Sequence, residues 1–171
     1  MTQHRLPLVL DACCGPRMFW FNRDDPRALF IDRRQEIITR DLGTAKARNR
    51  APAIVDPDVV ADFTAMPFPD ESFYMVVFDP PHMAKNRSGL SGVFPKLYGT
   101  LADKWQEAMG QGFAECFRVL KPNGTLIFKW ADTSVPVSHV LLTTPRKPLF
   151  GSRRGRHTHW YVFMKDEEDK R

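Results

Sequence analysis

Two consecutive prolines, Pro80 and Pro81, close the run Tyr74-Met75-Val76-Val77-Phe78-Asp79 and leave the chain few ways to fold around it. The run is apolar from Met75 to Phe78, which reads as a buried strand. Proline has no N–H to give a ladder, and Pro80 drives Asp79 out of helical geometry. The chain must therefore leave the sheet as a stiff, extended loop carrying one carboxylate, two backbone carbonyls and the imidazole of His82. In open α/β sheets, ligands bind outside the carboxyl ends of the strands. Asp-Pro is also an ordinary turn dipeptide, so the rest of the chain must decide between a site and a plain strand stop.

Three further apolar runs end on an acid. Leu8-Val9-Leu10 gives way to Asp11-Ala12-Cys13-Cys14-Gly15-Pro16, small residues and a glycine where a nucleotide-type βα turn begins. Pro16-Arg17-Met18-Phe19-Trp20 then bring bulk and charge where a second glycine is often found. Ala28 to Asp32 is a second strand, and Asp32 lies 21 residues after Asp11, roughly one βα unit. An acid there can accept the hydroxyl hydrogen bonds of a ribose or cap the next turn. Ile54 to Asp62 gives a third, weak strand around Val59-Val60-Ala61, with Phe63 behind Asp62. Residues 33–53 are polar and irregular and receive neither a helix nor a role.

After His82, residues 83–99 form a long loop with three basic residues, three glycines and no acid. Loops of that length are uncommon unless they are lids or binding loops. Leu101 to Leu120 carries the clearest helical periodicity, through Leu101, Trp105, Ala108, Met109, Phe113, Cys116, Phe117 and Leu120. Lys121-Pro122-Asn123-Gly124 stops it. Thr125 to Ala131 reads as a fifth strand. Ser134 to Leu142 is expected to be a short helix, with Ser134 as cap and Pro136 in its first turn. Pro148 to Gly151 and Thr158 to Lys165 read as two last strands around the basic loop 152–157. Lys165 to Arg171 is expected to be a frayed tail.

The length of 171 residues and 43% apolar content suit one domain, residues 1–171, with a core of its own. No apolar run approaches a membrane span, and the amino terminus lacks a signal peptide's apolar region, so the cytoplasm is the expected location and no membrane partner is expected. Cys13 and Cys14 are adjacent and a third cysteine is left over, which fits free thiols. No His/Cys set has zinc-ligand spacing, so no metal is expected. Net charge is +5, and five basic residues without an acid fall between Arg146 and Arg156. That local excess suits a polyanion or a merely solvated loop.

Strands ending in Asp and alternating with helices imply a parallel sheet with its ligand edge at the strand ends. Over nearly its whole length the chain resembles the class I S-adenosylmethionine-dependent methyltransferases. Val9-Leu10-Asp11-Ala12-Cys13-Cys14-Gly15 looks like the first cofactor motif, Asp32 like the acid after strand two, and Asp62-Phe63 like the adenine-contacting position. Phe78-Asp79-Pro80-Pro81-His82 looks like the catalytic motif, and residues 117–124 like the lead-in to strand five. The resemblance implies a single-domain, Rossmann-like α/β fold: a mostly parallel seven-stranded sheet with an antiparallel last strand. It implies S-adenosylmethionine as cofactor, held by Asp11, Ala12, Cys13, Gly15, Asp32, Asp62, Phe63 and Asp79. Arg17 stands where the motif usually has a further glycine.

The Asp-Pro-Pro element is similar to the signature of amino-methyltransferases acting on adenine N6, cytosine N4 or a glutamine amide. By that resemblance Asp79, Pro80, Pro81 and His82 are the catalytic residues. The Asp79 carboxylate and Pro80 carbonyl could accept the two N–H groups of an exocyclic amine, positioning its nitrogen for the methyl group. His82 takes the place of an aromatic that stacks on an extruded base. In the implied sheet the turn between the last two strands lies on the edge of Asp79. That sets Arg153, Arg154 and Arg156 opposite Lys85, Arg87 and Lys96, two positive walls for phosphates. The expected substrate is therefore a nucleobase amine, adenine N6 in DNA ahead of RNA, as in small phage and prophage enzymes. A protein amide or small-molecule acceptor is the next alternative, and a non-catalytic binding module of the same fold is the alternative from another class. No segment has the size of a target-recognition domain, so choice of DNA sequence is expected to be weak or supplied by loops and a second subunit, as in a homodimer.

Overall fold

The computed structural model describes residues 6–38, 52–83, 99–101, 103–152 and 157–167. Seven strands form one sheet in the order β5-β2-β1-β6-β7-β9-β8. They are β1 (Val9–Asp11), β2 (Ala28–Asp32), β5 (Val59–Val60), β6 (Phe73–Phe78), β7 (Leu120–Ala131), β8 (Phe150–Gly151) and β9 (Thr158–Met164). Strands β5, β2, β1, β6 and β7 pair in parallel, whereas β9 runs antiparallel to both β7 and β8. The expected mixed sheet with its reversed last strand is thus the one observed. Two short strands, β3 (Glu36–Ile38) and β4 (Ala53–Val55), pair antiparallel in a separate ribbon; β3 lies in the stretch the sequence left unassigned, whereas β4 takes the start of the expected third strand, of which only Val59–Val60 joins the main sheet.

Each central strand divides its side chains between two faces, as the two-residue period requires. Leu10, Ile31, Val76, Phe78, Leu126, Phe128, Trp130 and Phe163 point into the main core. Helix α1 (Trp105–Val119) covers them with Met109, Phe113, Cys116 and Phe117. Gly112 is what lets α1 come so near: a Cβ there would stand 2.7–2.8 Å from the rings of Phe63 and Phe78. The opposite face has a smaller cluster of Cys14, Ala28 and Phe30, with Val9 and Trp20 against it. Residues 12–27, which connect β1 to β2, are all described and contain turns only, with no helix. Toward the β8 edge Trp160, Phe150 and Met164 remain exposed.

Several local expectations are corrected. The helix begins at Trp105, although Leu101 is buried and its N–H donates to the Met83 carbonyl. The short helix α2 spans Val137–Val140, with Pro136 as the residue before it. Ser134 does not cap it: its hydroxyl donates to the His82 carbonyl, and Oδ1 of Asp132 accepts the Val137 N–H at 2.7 Å instead. A carboxylate five residues ahead reaches the free N–H because the chain between them turns, which no linear capping rule anticipates. Lys165 is not frayed: it is 7% exposed, and its Nζ donates to the Leu120 carbonyl at 2.7 Å. No helix among the described residues is long and apolar enough to cross a membrane.

Candidate functional site

The carboxyl ends of β1, β2 and β6 meet at one cavity. It is lined by the turn from Ala12 to Pro16, by Phe19, Asp32, Ala61 and Phe63, and by the loop Asp79-Pro80-Pro81-His82 with Lys129 behind it. Adjacent parallel pairing brings the three acids to one edge, since Asp11 is in register with Phe30 and Val77. Asp11 is fully buried, its two oxygens accepting the Trp20 indole N–H at 2.7 Å and the Cys13 N–H at 3.2 Å. Burial pushes its carboxyl up to about 7, against those two hydrogen bonds, which favour the charged form. Desolvation also raises the thiols, Cys14 to about 12, so neither Cys13 nor Cys14 is a thiolate nucleophile near neutral pH.

The turn after β1 keeps the backbone of a glycine-rich loop with fewer glycines. Gly15 has φ +47°, and a Cβ there would meet nothing within 4 Å, so its backbone borders open space. Arg17, at the position of the expected glycine, has φ +52°, which an L side chain adopts at a cost. Its guanidinium offsets that cost. It donates to the carbonyls of Arg23 and Asp56, both at 2.7 Å, pairs with Asp58 at 3.1 Å, and lies 3.9 Å over the Phe30 ring.

Asp32 faces the cavity, where Oδ2 accepts the Gly15 N–H at 3.0 Å and Oδ1 accepts from Arg34 N–H and Nε at 3.0 and 3.2 Å. Its carboxylate thus holds the first turn to the end of β2. Asp62 does not line this cavity. It borders a shallower neighbouring depression with Phe63 and Arg33, and its Oδ1 caps the next turn by accepting from Thr64 N–H and Oγ1. Phe63 borders both hollows, its ring set 5.3 Å from that of Phe78.

The carboxylate of Asp79 is 10% exposed and has two basic neighbours. Nζ of Lys129 lies 2.5 Å from Oδ2, and Nε2 of His82 lies 3.1 Å from Oδ1. The His82 contact is too poorly directed for a hydrogen bond, so Oδ1 is a buried acceptor without a partner among the described residues. His82 sets its ring edge-on to Trp130, centroids 5.1 Å apart, and its Nδ1 is also buried without a partner. That orientation packs the imidazole against the core.

Sequence reasoning brought Asp11 to Gly15, Asp32, Phe63 and the Asp79 loop to this edge, and missed Lys129, Phe19 and Arg34. Lys129 is the polar residue in an alternating strand, a pattern equally suited to a solvated face, and only its pairing with Asp79 distinguishes it. Ser152 and His157, which flank the last turn, reach the same edge, where the Asp132 N–H donates to the His157 carbonyl. Lys85, Arg87, Lys96, Arg153, Arg154 and Arg156 lie outside the described residues.

No protein-family model matches the chain, and no curated protein matches it in sequence. Among solved structures it is similar to the PH0226 protein of Pyrococcus horikoshii, with TM-score 0.61 and 18% identity, covering 92% of this chain and 81% of that one. It is similar to the N-methyltransferase NodS of Bradyrhizobium japonicum, with TM-score 0.52 and 13% identity over 94% and 85% of the two chains. A third likeness is to the 1,6-didemethyltoxoflavin-N1-methyltransferase of Burkholderia thailandensis, solved with 1,6-didemethyltoxoflavin and S-adenosylhomocysteine bound. There the TM-score is 0.52 and identity 12%, over 95% and 72% of the two chains. The chain therefore has the Rossmann-like α/β fold of the methyltransferases.

Proposed function

We propose that this protein is an S-adenosylmethionine-dependent methyltransferase acting on an exocyclic amino nitrogen of a nucleobase, with adenine N6 in DNA as the leading substrate. The observation that carries the reading is the Asp79 carboxylate at the wall of the cavity, whose Oδ1 has no hydrogen-bond partner among the described residues. Leaving such an atom unpaired costs about 1–3 kcal/mol, which an N–H donor on a ligand would recover. The Pro80 carbonyl, in the same extended loop, is the second acceptor for an amino group. The cofactor supplies a methyl group on positively charged sulfur, released to a nitrogen lone pair as the C–S electron pair returns to sulfur.

The residues present fit that cofactor. The open backbone beside Gly15 suits the methionine part, Asp32 the ribose, and Phe63 the adenine face, while Asp62 would have to turn away from Thr64 to reach the adenine amine. Asp79 and Pro80 orient the acceptor nitrogen, whose surplus proton passes to the Asp79 carboxylate and from there to water. This is catalysis by position and local charge. DNA as acceptor rests on the basic residues Lys85, Arg87, Lys96, Arg153, Arg154 and Arg156 and on the resemblance of the Asp-Pro-Pro element.

The test is incubation of the purified protein with tritiated S-adenosylmethionine and, separately, DNA, RNA and cell-extract protein, followed by mass spectrometry of the product. Label in N6-methyladenine of DNA is expected, and it should vanish in a folded Asp79→Ala variant. Label only in RNA, protein or a small molecule would replace the substrate. Undiminished transfer by Asp79→Ala would remove the amino-methyltransferase chemistry.

A further inference from the structure

Lys129 belongs to none of the motifs above, yet it is the cation set against the carboxylate on which the proposed chemistry depends. On β7 its neighbours Phe128 and Trp130 enter the main core, so Lys129 leaves from the opposite face. From there Nζ reaches Oδ2 of Asp79 at 2.5 Å, with 18% of the lysine side chain and 10% of the aspartate exposed. The same Nζ lies 5.3 Å from the Phe19 ring centroid and 5.7 Å from that of Trp160, whose rings meet edge to face. Residues from three separate segments thus hold one ammonium group in place. Of the other carboxylates at this edge, Asp32 is answered by Arg34, and Asp11 by the Trp20 and Cys13 N–H groups.

Resting on the methyltransferase reading above, we infer that Lys129 is a positioning residue that acts through Asp79 in two ways. It occupies Oδ2, which leaves Oδ1, without a hydrogen bond among the described residues, as the acceptor for the amine once the His82 ring beside it gives way. It also cancels the attraction that a bare Asp79 carboxylate would exert on the sulfonium of the methyl donor. That second effect matters for rate. The sulfur's charge is full before transfer and fades as the methyl leaves, so a bare carboxylate would stabilise the ground state more than the transition state. The Lys129–Asp79 pair offers the amine an acceptor with little net charge toward the sulfur.

The experiment compares wild type, Lys129→Met and Lys129→Arg by titration calorimetry at pH 8–9, with S-adenosylmethionine and S-adenosylhomocysteine as probes. The two differ only in the methyl group and the charge on sulfur. Lys129→Met is expected to shift the affinity ratio about tenfold toward the charged probe, the scale of one uncompensated charge nearby. Lys129→Arg should keep the wild-type ratio. A role in shape alone would move both affinities together, so an unchanged ratio in Lys129→Met overturns the inference, as does an equal shift in Lys129→Arg. Should Lys129→Met fail to fold, Lys129→Gln gives the same comparison. If wild type binds neither probe, the cofactor reading falls and this inference with it, a result distinct from an unchanged ratio.

Discussion

Two crossovers join parallel strands at the centre of this sheet, and they are held by different physics. Between β6 and β7 the chain makes α1, whose Met109, Phe113, Cys116 and Phe117 are buried in the apolar core. Between β1 and β2 it makes no helix, and a network of charged and polar groups centred on Arg17, Asp11 and Trp20 holds the turns. A parallel connection usually needs a helix because its backbone must satisfy itself while covering the sheet. Here side chains answer part of the backbone, as when Asp32 accepts from Gly15 and Arg17 donates to the Arg23 carbonyl. The difference separates scaffold from site: the apolar side fixes the sheet, and the polar network holds in place the turn from Ala12 to Pro16 that lines the cavity.

The comparison breaks most sharply at Phe113. Its ring lies 5.0–5.9 Å from those of Phe128, Phe78 and Phe163. Phe113→Ala should therefore cost about 3–5 kcal/mol, read as a fall in the denaturant midpoint. Because total stability of such a domain is only about 5–15 kcal/mol, the variant should lose a large share of it. A loss below 1 kcal/mol would mean that α1 is not the element that holds the sheet.

Asp11 tests the polar side through pH. Its folded carboxyl titrates near 7 because burial disfavours the charge, whereas an unfolded aspartate titrates near about 3.9. Between those values the folded protein holds the extra proton, so this group's contribution to stability falls as pH rises and is constant above the window. Asp11→Asn cannot ionise. Its stability relative to wild type should improve by on the order of 2–3 kcal/mol from pH 4 to pH 7. A difference between the two proteins that stays flat over that range would show that Asp11 titrates as an exposed acid does.

Arg17 gives the smaller and finer test. Arg17→Ala keeps the left-handed backbone and loses the guanidinium, for a cost of about 2 kcal/mol, whereas Arg17→Gly relieves the backbone and should cost about 1 kcal/mol. Thermal melts of the pair should therefore rank wild type above the glycine variant and that above the alanine variant. Equal losses would mean that the positive φ carries no strain.

How much of this was legible in the sequence follows the same division. The run Ala28 to Asp32 is β2 to the residue, and β6 stops at Phe78, just before Asp79 and its prolines. Apolar period and proline are local signals that act wherever the chain goes. Arg17 was visible as a departure from a glycine pattern, but its function as a clamp depends on Asp56 and Asp58, some forty residues on. Lys129 and Asp79 are likewise fifty residues apart. Ser134 failed as a cap because Asp132 turned back to the free N–H of Val137 first. Polar partnerships across the sheet have no period, so they become readable only once strand order has brought their members together.

The helix-free connection also bears on how the molecule exchanges its amide protons with water. In α1 the N–H groups beyond the first turn are bonded within the helix, and opening them requires breaching the aromatic core. In residues 12–27 protection rests on a few bonds, such as Cys14 N–H to the Ile31 carbonyl and Arg17 N–H to the Cys14 carbonyl. Such amides exchange through small local openings far easier than global unfolding. Deuterium should therefore enter residues 12–27 well before α1. A ligand that closes on Gly15 should slow exchange in residues 12–27 while leaving α1 unchanged, so that occupancy of the site is written as time along the backbone.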